Sequence, residues 1–495
     1  MSINLVETFY LADEITQADV DDRKPLNDSR KITLRKRVVV ETINDLLKNG
    51  RQVEHPRTLK KDRLSRTDVK IFNFAESFSG LAATNPERLN STWQSVPKER
   101  GETVGNQKSF IMKTKNYLLL LVFFAQFLFV NGQRRQAMLN QPHFSTGNLW
   151  FDTDGKLINA HGGGVLYHEG KYYWFGEHKS ENSNAAFVGV TCYSSADLYG
   201  WKNEGIALSV SDDESSPIVR GCTIERPKVI HNAKTGKFVM YFHLELKGLG
   251  YGAAQVAVAV SDELTGPYRL IKNSRVNAGK WPLDMNEEQR LSPVQPDDFK
   301  EWWTPQWREA VKDGLFVRRD FAGGQMSRDM TLFVDDDGKA YHIYSSEENL
   351  TLHIAELTDD YMDYTGRYIR VEPGGHNEAP ALFKKEGRYF MITSGCTGWE
   401  PNAARLLTAN EIMGQWTLHP NPCKGEDADL TFHSQSTFIL PVQGRNDTFI
   451  FMADRWRPRN PIDGRYVWLP ILFENGLPTL KWVEKWNLDI FDGAN

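Results

Sequence analysis

Cysteine is scarce: the 495 residues contain four, Cys192, Cys222, Cys396 and Cys423. Their spacing matches no zinc pattern, and with three possible pairings no disulfide framework can be read from them. Buried free thiols are expected, with a single bridge as the alternative. Long apolar runs are scarce too. Tyr117 to Val130 is an apolar run of 14 residues, short of the roughly 20 that a spanning helix needs. This argues against a stable membrane anchor in the mature form. A basic surplus is missing where it would matter. Residues 1–111 carry 19 Lys+Arg against 16 Asp+Glu, but 133–495 carry 38 against 48, a net of −10. A domain that acidic repels phosphate backbones, which argues against nucleic acid as a partner. Aromatic side chains, by contrast, are plentiful: 12% of the chain, with 14 Trp. That composition suits a β-rich, carbohydrate-facing protein better than a helical bundle.

The N-terminal third divides in two. From Met112, "MKTKNYLLLLVFFAQFLFVNGQ" has the parts of a secretory signal. Lys113 and Lys115 supply the charged region, the apolar run follows, and Val130-Asn131-Gly132 offers small residues for cleavage. No Cys comes next, so a lipid anchor is not indicated. The expected division is an extension at 1–111, a signal peptide at 112–132 and a mature domain at 133–495, exported to the periplasm or the medium if translation starts at Met112. The extension is polar and poor in periodicity. Its stretch "KITLRKRVVVETINDLLKNGRQVEHPR" resembles the C-terminal end of insertion-sequence transposases over some 30 residues. Only Glu41 matches a catalytic acid, so the likeness implies in-frame sequence from an upstream mobile element, not activity. The alternative is a disordered extension.

From Gly162 onward one phrase recurs: a polar or acidic residue, an apolar strand, a Gly-Lys/Arg turn and an aromatic strand. The copies are "GGGVLYHEGKYYWFGEH", "ERPKVIHNAKTGKFVMYFHLE", "RDMTLFVDDDGKAYHIYSSEE", "NEAPALFKKEGRYFMITSGCT" and "SQSTFILPVQGRNDTFIFMADRW". The turn glycines are Gly170, Gly236, Gly338, Gly387 and Gly444, the residue type that tolerates the positive φ of a tight hairpin. Each copy is followed by a second hairpin-like stretch, such as "VAVAVSDELTGPYRLI". Four-stranded repeats of some 45–65 residues predict an all-β, five-bladed propeller. An insertion between Lys272 and Gly323 breaks the period. It is expected to be a loop with a short helix, its Trp302, Trp303 and Trp307 either packing it down or forming a sugar-stacking wall.

In a propeller the first strand of each blade lines the axis. The repeated position therefore brings Gly162, Glu225, Asp329, Glu378 and Gln435 into a ring. Three carboxylates converging in one pocket lose hydration and repel each other, which keeps one protonated near neutral pH. That arrangement suits glycoside hydrolysis, where a carboxylic acid protonates the leaving oxygen. For any single acid the plainer reading is a solvated strand end. Three in equivalent places favour a site.

These segments, with "IERPKVIHN" and "FHSQSTFIL", resemble glycoside hydrolase family 43 over roughly 140–490. The resemblance implies a five-bladed propeller acting on plant polysaccharides, with Glu378 in "NEAP" as general acid and Asp329 tuning it. The family's usual base, an Asp opening the first blade, has no counterpart in "NAHGGGV". The chain is most similar to the exo-β-1,3-galactanase-like subgroup, which implies that Gln435 positions the water and Glu225 contacts the terminal sugar. An α-L-arabinofuranosidase and a non-catalytic glycan-binding propeller are the alternatives. His161, Glu177, Arg226 and Asn349 stand at strand ends near the ring as candidates for sugar hydroxyls. Thr397 and Trp399 follow the second strand of the fourth copy, where an aromatic face commonly stacks on a sugar. No cofactor is implied. "VDDDGK", Asp335 to Lys339, has the composition of a calcium loop, but a hairpin turn explains it fully.

Overall fold

The computed structural model describes residues 143–492. The expected transposase-like extension, the signal peptide and the first ten residues of the expected mature domain lie outside them. Strand β1 (Phe144–Ser145) is followed by four four-stranded antiparallel sheets in succession. The first joins β2 (His161–His168), β3 (Lys171–His178), β4 (Gly189–Ser195) and β5 (Lys202–Ser209). The second joins β6 (Thr223–Asn232), β7 (Lys237–Glu245), β8 (Gln255–Ser261) and β9 (Arg269–Ser274). The third joins β10 (Met330–Val334), β11 (Ala340–Ser346), β12 (Thr351–Leu357) and β13 (Tyr364–Val371). The fourth joins β14 (Glu378–Lys385), β15 (Arg388–Ser394), β16 (Arg405–Ala409) and β17 (Thr417–His419). After β18 (Cys423–Lys424) comes a three-stranded sheet of β19 (Gln435–Pro441), β20 (Phe449–Arg455) and β21 (Arg465–Pro470). A sixth sheet joins β18 to β22 (Leu472–Glu474) and β23 (Leu477–Lys481).

This is an all-β propeller with six sheets of three or four strands, one more than the five expected from the repeat. The sixth lacks the repeated phrase, and its β18 and β23 run parallel, so the repeat does not mark it. The first strands β2, β6, β10, β14 and β19 lie side by side, and β19 returns to β2. All five turn glycines adopt positive φ, between 70° and 84°.

Apolar side chains alternate along the strands and pack between neighbouring sheets. Trp174, Trp201, Trp468 and Tyr466 fill the seam between the first and last repeats. Beside them Phe144 of β1 packs tilted at 4.3 Å against Trp486 of β24 (Lys485–Trp486), so the two ends of the domain pair across that seam. Each buried Trp removes about 150–250 Å² from water, which makes this seam the lock that holds the ring shut.

The insertion follows Ser274 and holds more helix than expected: α1 (Glu287–Leu291), α2 (Pro305–Lys312) and α3 (Leu315–Arg319). Thr304 caps α2, accepting from the Trp307 N–H, and Pro305 occupies its first turn, where a missing N–H costs nothing. Trp307 is buried with Phe316 and Leu350, and Trp302 stacks on it at 5.3 Å. Trp302 and Trp303 keep exposed faces, but none of the three lines the main cleft. Asp335 to Lys339 is a hairpin turn in which the Asp335 carboxylate accepts from Lys384 Nζ at 2.6 Å.

Candidate active site

Four of the five ring strands carry a β-bulge at the end nearest the cleft. Pairing slips between His161 and Gly164, between Glu225 and Lys228, between Glu378 and Ala381, and between Ser436 and Phe438. The bulged residues Gly162, Arg226 and Ala379 take φ of 61°, 57° and 52°. Bulges re-aim the residue beside them, which is why they gather at active sites. The registers also correct the sequence alignment. Glu225, Glu378 and Gln435 each precede their bulge, and in the first sheet that place belongs to His161, not Gly162.

His161 is sealed from solvent, stacked on Tyr466 and 3.8 Å from Asp454. Burial pushes its imidazole down to about 3, with Lys179 and His178 adding to the effect, so it is neutral and does not reach the cleft as expected. The first sheet supplies Glu177 instead, directly across from His161 on β3. A Cβ on Gly162 would meet Glu177 Oε1 at 2.1 Å, and one on Gly163 would meet the Phe175 carbonyl at 1.9 Å. No Asp fits there. Glu177 accepts the Arg226 N–H at 2.9 Å and pairs with Lys179 Nζ at 2.5 Å, all three buried.

The cleft so formed holds about 270 Å³. Glu177, Glu225, Arg226, Asp329, Asn349, Glu378, Trp399 and Gln435, all singled out in the sequence, line it. Thr397 does not: its hydroxyl donates to the Glu400 carbonyl at 2.6 Å and accepts from Asn402, closing the turn that presents Trp399. Trp399 is 42% exposed and stands edge-on to Trp456. Sequence reasoning missed Lys179, His243, Tyr251, Arg328, Cys396 and Trp456. Two of these, Lys179 and Trp456, directly follow strands that pair with a ring strand, a signal the repeat did carry.

Arg226 ties the ring together. Its guanidinium donates to Asp329 Oδ1 at 3.0 Å and Oδ2 at 2.8 Å, to the Ser436 carbonyl at 2.8 Å and to Gln435 Oε1 at 2.5 Å. Asp329 also accepts the Ala379 N–H at 3.1 Å, so it holds the bulge beside Glu378. Burial pushes the Glu378 carboxyl up to about 7, and the charge of Asp329 adds to this. Cys396, Arg226 and Arg328 pull the other way. Glu378 therefore keeps its proton well above the ordinary carboxylate range and titrates near neutrality, while Asp329 is paired with a guanidinium.

Glu225 has the opposite setting. It accepts from Tyr251 at 2.7 Å and pairs with His243 at 3.0 Å, and His243 in turn pairs with Glu245 at 2.9 Å. Burial alone would raise the Glu225 carboxyl, but the bond to His243, the charges of His243 and Lys179 and the bond from Tyr251 hold it at about 2. For His243 burial is likewise outweighed by the two carboxylates, which hold it at about 9. One acid is kept neutral and another ionised within a single cleft. That division assigns proton donor and fixed charge.

Gln435 is pinned at both ends. Its carbonyl accepts from Arg226 and from Trp456 Nε1 at 2.8 Å, and its amide donates to Ser394 at 2.9 Å. That amide also faces Glu378 Oε2 at 3.5 Å. All four cysteines are free: Cys192, Cys222 and Cys423 are buried as expected, and Cys396 is half-buried at the cleft wall.

The family model for glycosyl hydrolases family 43 matches residues 294–470. A family 43 β-1,3-galactosidase solved with galactodeoxynojirimycin is 63% identical, the match covering 70% of this chain and 100% of that one, with a TM-score of 0.69. An exo-β-1,3-galactanase from Clostridium thermocellum is 35% identical over 70% of this chain and 66% of its own, with a TM-score of 0.56. One from Phanerochaete chrysosporium, solved with β-1,3-galactotriose, is 31% identical over 71% and 69%, with a TM-score of 0.56. A β-D-galactofuranosidase from Aspergillus niger is 26% identical over 121 residues, 24% of this chain and 35% of that protein, so the match spans about a third of its length. The chain belongs to glycoside hydrolase family 43.

Proposed function

We propose that the protein is an inverting exo-glycosidase that releases terminal galactose from β-1,3-galactan. The observation that carries this reading is Glu378, a carboxyl held protonated to about pH 7 at the wall of a cleft sized for a sugar. The relatives named as β-1,3-galactosidase and exo-β-1,3-galactanases support the choice of substrate. Glu378 gives its proton to the leaving oxygen as the bond to the anomeric carbon breaks. Water adds to that carbon from the opposite face, its proton passes to solvent, and Glu378 is reprotonated. Asp329 holds the acid in place and raises its proton affinity. Glu225, ionised and backed by His243, accepts from a hydroxyl of the terminal galactose, with Tyr251 beside it and Trp399 stacking at the rim.

Gln435 orients the attacking water. In inverting enzymes with paired carboxyls the two groups stand roughly 6.5–9.5 Å apart, whereas the Gln435 amide lies 3.5 Å from Glu378 Oε2. In the proposed complex the two groups part to admit the sugar and the water. The propeller is read as five-bladed: among the described residues five sheets send a strand to the closed ring, and the sixth, whose β23 packs on β21, is read as the outer edge of the last blade. Export through the segment at Met112 remains part of the proposal, tested by N-terminal sequencing of secreted protein.

Incubation with β-1,3-galactobiose and with an aryl α-L-arabinofuranoside separates the readings. Galactose release lost in Glu378→Gln supports this one. Arabinose release, or binding without any release, overturns it in favour of an arabinofuranosidase or a non-catalytic glycan-binding propeller.

A further inference from the structure

The two oxygens of Glu378 are not equivalent. Oε1 accepts Asn349 Nδ2–H at 2.7 Å and Cys396 Sγ–H at 3.1 Å. Oε2 has only the Gln435 amide, at 3.5 Å, and that amide already donates to Ser394 at 2.9 Å. A protonated carboxyl has one donor oxygen and one acceptor oxygen. A proton on Oε1 would point at two other donor hydrogens, whereas on Oε2 it is free to face the cleft.

Asn349 is held in place at a visible conformational cost. Glu347, Glu348 and Asn349, in the turn between β11 and β12, take φ of 51°, 59° and 63° in succession. Runs of left-handed residues other than glycine persist only where their surroundings over-determine them, and they gather at functional sites. Buried Glu347 accepts from Arg370 at 2.7 and 2.8 Å and pairs with His353 at 2.9 Å. Arg370 also donates to the carbonyls of Val311 and Lys312, which close α2. Glu348 is bound by Arg319 of α3 at 2.9 Å and by Arg328 at 3.2 Å. The insertion that breaks the repeat is therefore wired, through Arg370 and Arg319, to the turn that aims Asn349 at Glu378.

We propose that Asn349 and Cys396 are positioning residues which, by both donating to Oε1 of Glu378, leave Oε2 as the oxygen that carries the catalytic proton. This rests on Glu378 being the general acid. The proton on Oε2 passes to the leaving oxygen as its bond to the anomeric carbon breaks, and Oε1 keeps its two donors through the step, stabilising the carboxylate that results. Other charged groups face the acid but do not touch Oε1: Asp329 and Arg328 ahead of β10, Arg226 of β6, and across the cleft Glu177, Lys179, Glu225 and His243.

Two measurements test this in the full-length protein. In the first, pH profiles of galactobiose hydrolysis are compared for wild type, Cys396→Ala, Cys396→Ser and Asn349→Ala. Loss of a donor to the carboxylate makes Glu378 harder to ionise, so the basic limb should move up by roughly half a unit in Cys396→Ala and about one unit in Asn349→Ala. KM should stay within about twofold, and Cys396→Ser should return the limb to the wild-type position. Limbs that do not move, or a serine that fails to restore them, overturn the proposal. The second is a neutron structure of wild-type crystals below pD 7. Deuterium on Oε2 supports the assignment and deuterium on Oε1 refutes it. The neutron result stands whether or not galactobiose is hydrolysed, so failure of the substrate reading and failure of this proposal are told apart.

Discussion

In the fourth sheet the residue before the bulge, Glu378, faces the cleft, whereas in the first sheet the matching His161 is buried against Tyr466 and Asp454. The partner strands differ in the opposite sense: Ser394 stands across from Glu378 and a carboxylate, Glu177, stands across from His161. Both sheets thus bring one acid to the cleft, from different strands and with different partners. Burial and the neighbouring carboxylate of Asp329 raise the proton affinity of Glu378, against the pull of its neutral donor Cys396. Glu177 meets a lysine and a backbone N–H. The absence of an Asp in "NAHGGGV" is therefore more than a deletion, because the space is filled from β3 and the glycines make room for it.

The largest effect expected from breaking this comparison is in Glu378→Gln. Loss of general-acid catalysis should lower galactobiose turnover by about 10²–10⁴-fold, with galactose binding retained by calorimetry. Wild-type turnover in that variant would mean that another group supplies the proton. Next comes Glu177→Gln, which leaves buried Lys179 without its counter-charge. Breaking a buried pair from one side costs about 3–5 kcal/mol, read as a lower urea midpoint with unchanged slope. Gly162→Ala and Ala379→Gly then probe the same left-handed position in two sheets. The first adds a methyl against Glu177 as well as the left-handed penalty, and should destabilise by about 2–4 kcal/mol. The second relieves that penalty and adds chain entropy, so its midpoint should move by less than about 1 kcal/mol either way. Equal effects at the two positions would contradict the claim that Glu177 occupies the first-sheet space.

Asp329→Asn also breaks a buried pair, with Arg226, but its distinctive readout is a small shift in the pH profile. Asp329 disfavours a second negative charge beside it, so its neutralisation makes Glu378 easier to ionise, and the freed Arg226 acts in the same direction. The basic limb of galactobiose hydrolysis should move to lower pH, by about one unit or less. Movement to higher pH would show that Asp329 acts chiefly as a hydrogen-bond partner.

Much of this was readable from residues alone because the propeller repeats one phrase, and a repeat ties strand order to position around an axis. Glu225, Asp329, Glu378 and Gln435 could be placed in one cleft for that reason. Two kinds of feature were not readable. A bulge shifts register by one residue without changing the apolar pattern, so Gly162 was aligned where His161 belongs, and His161 was expected in the cleft although burial and Tyr466 hold it inside. Contacts across a sheet are the other kind. His243, Lys179 and Cys396 reach the site from second strands or the residues after them, and their partners lie in distant parts of the sequence. The insertion was expected to be mostly loop because its aromatic cluster has no strand or long-helix period, and its link to Asn349 runs through backbone carbonyls that composition does not encode. Thr397 was placed at the rim by position alone, and its hydroxyl is used to close its own turn.

The central claim is that the cleft raises the Glu378 carboxyl so that it gives up its proton near neutrality rather than in the ordinary carboxylate range. The most direct test is an infrared difference titration of wild type against Glu378→Gln, following the carboxyl band of that one side chain. A protonated band that gives way to carboxylate at about pH 7 is the result expected. Ionisation near the ordinary glutamate value of about 4.3 would contradict it.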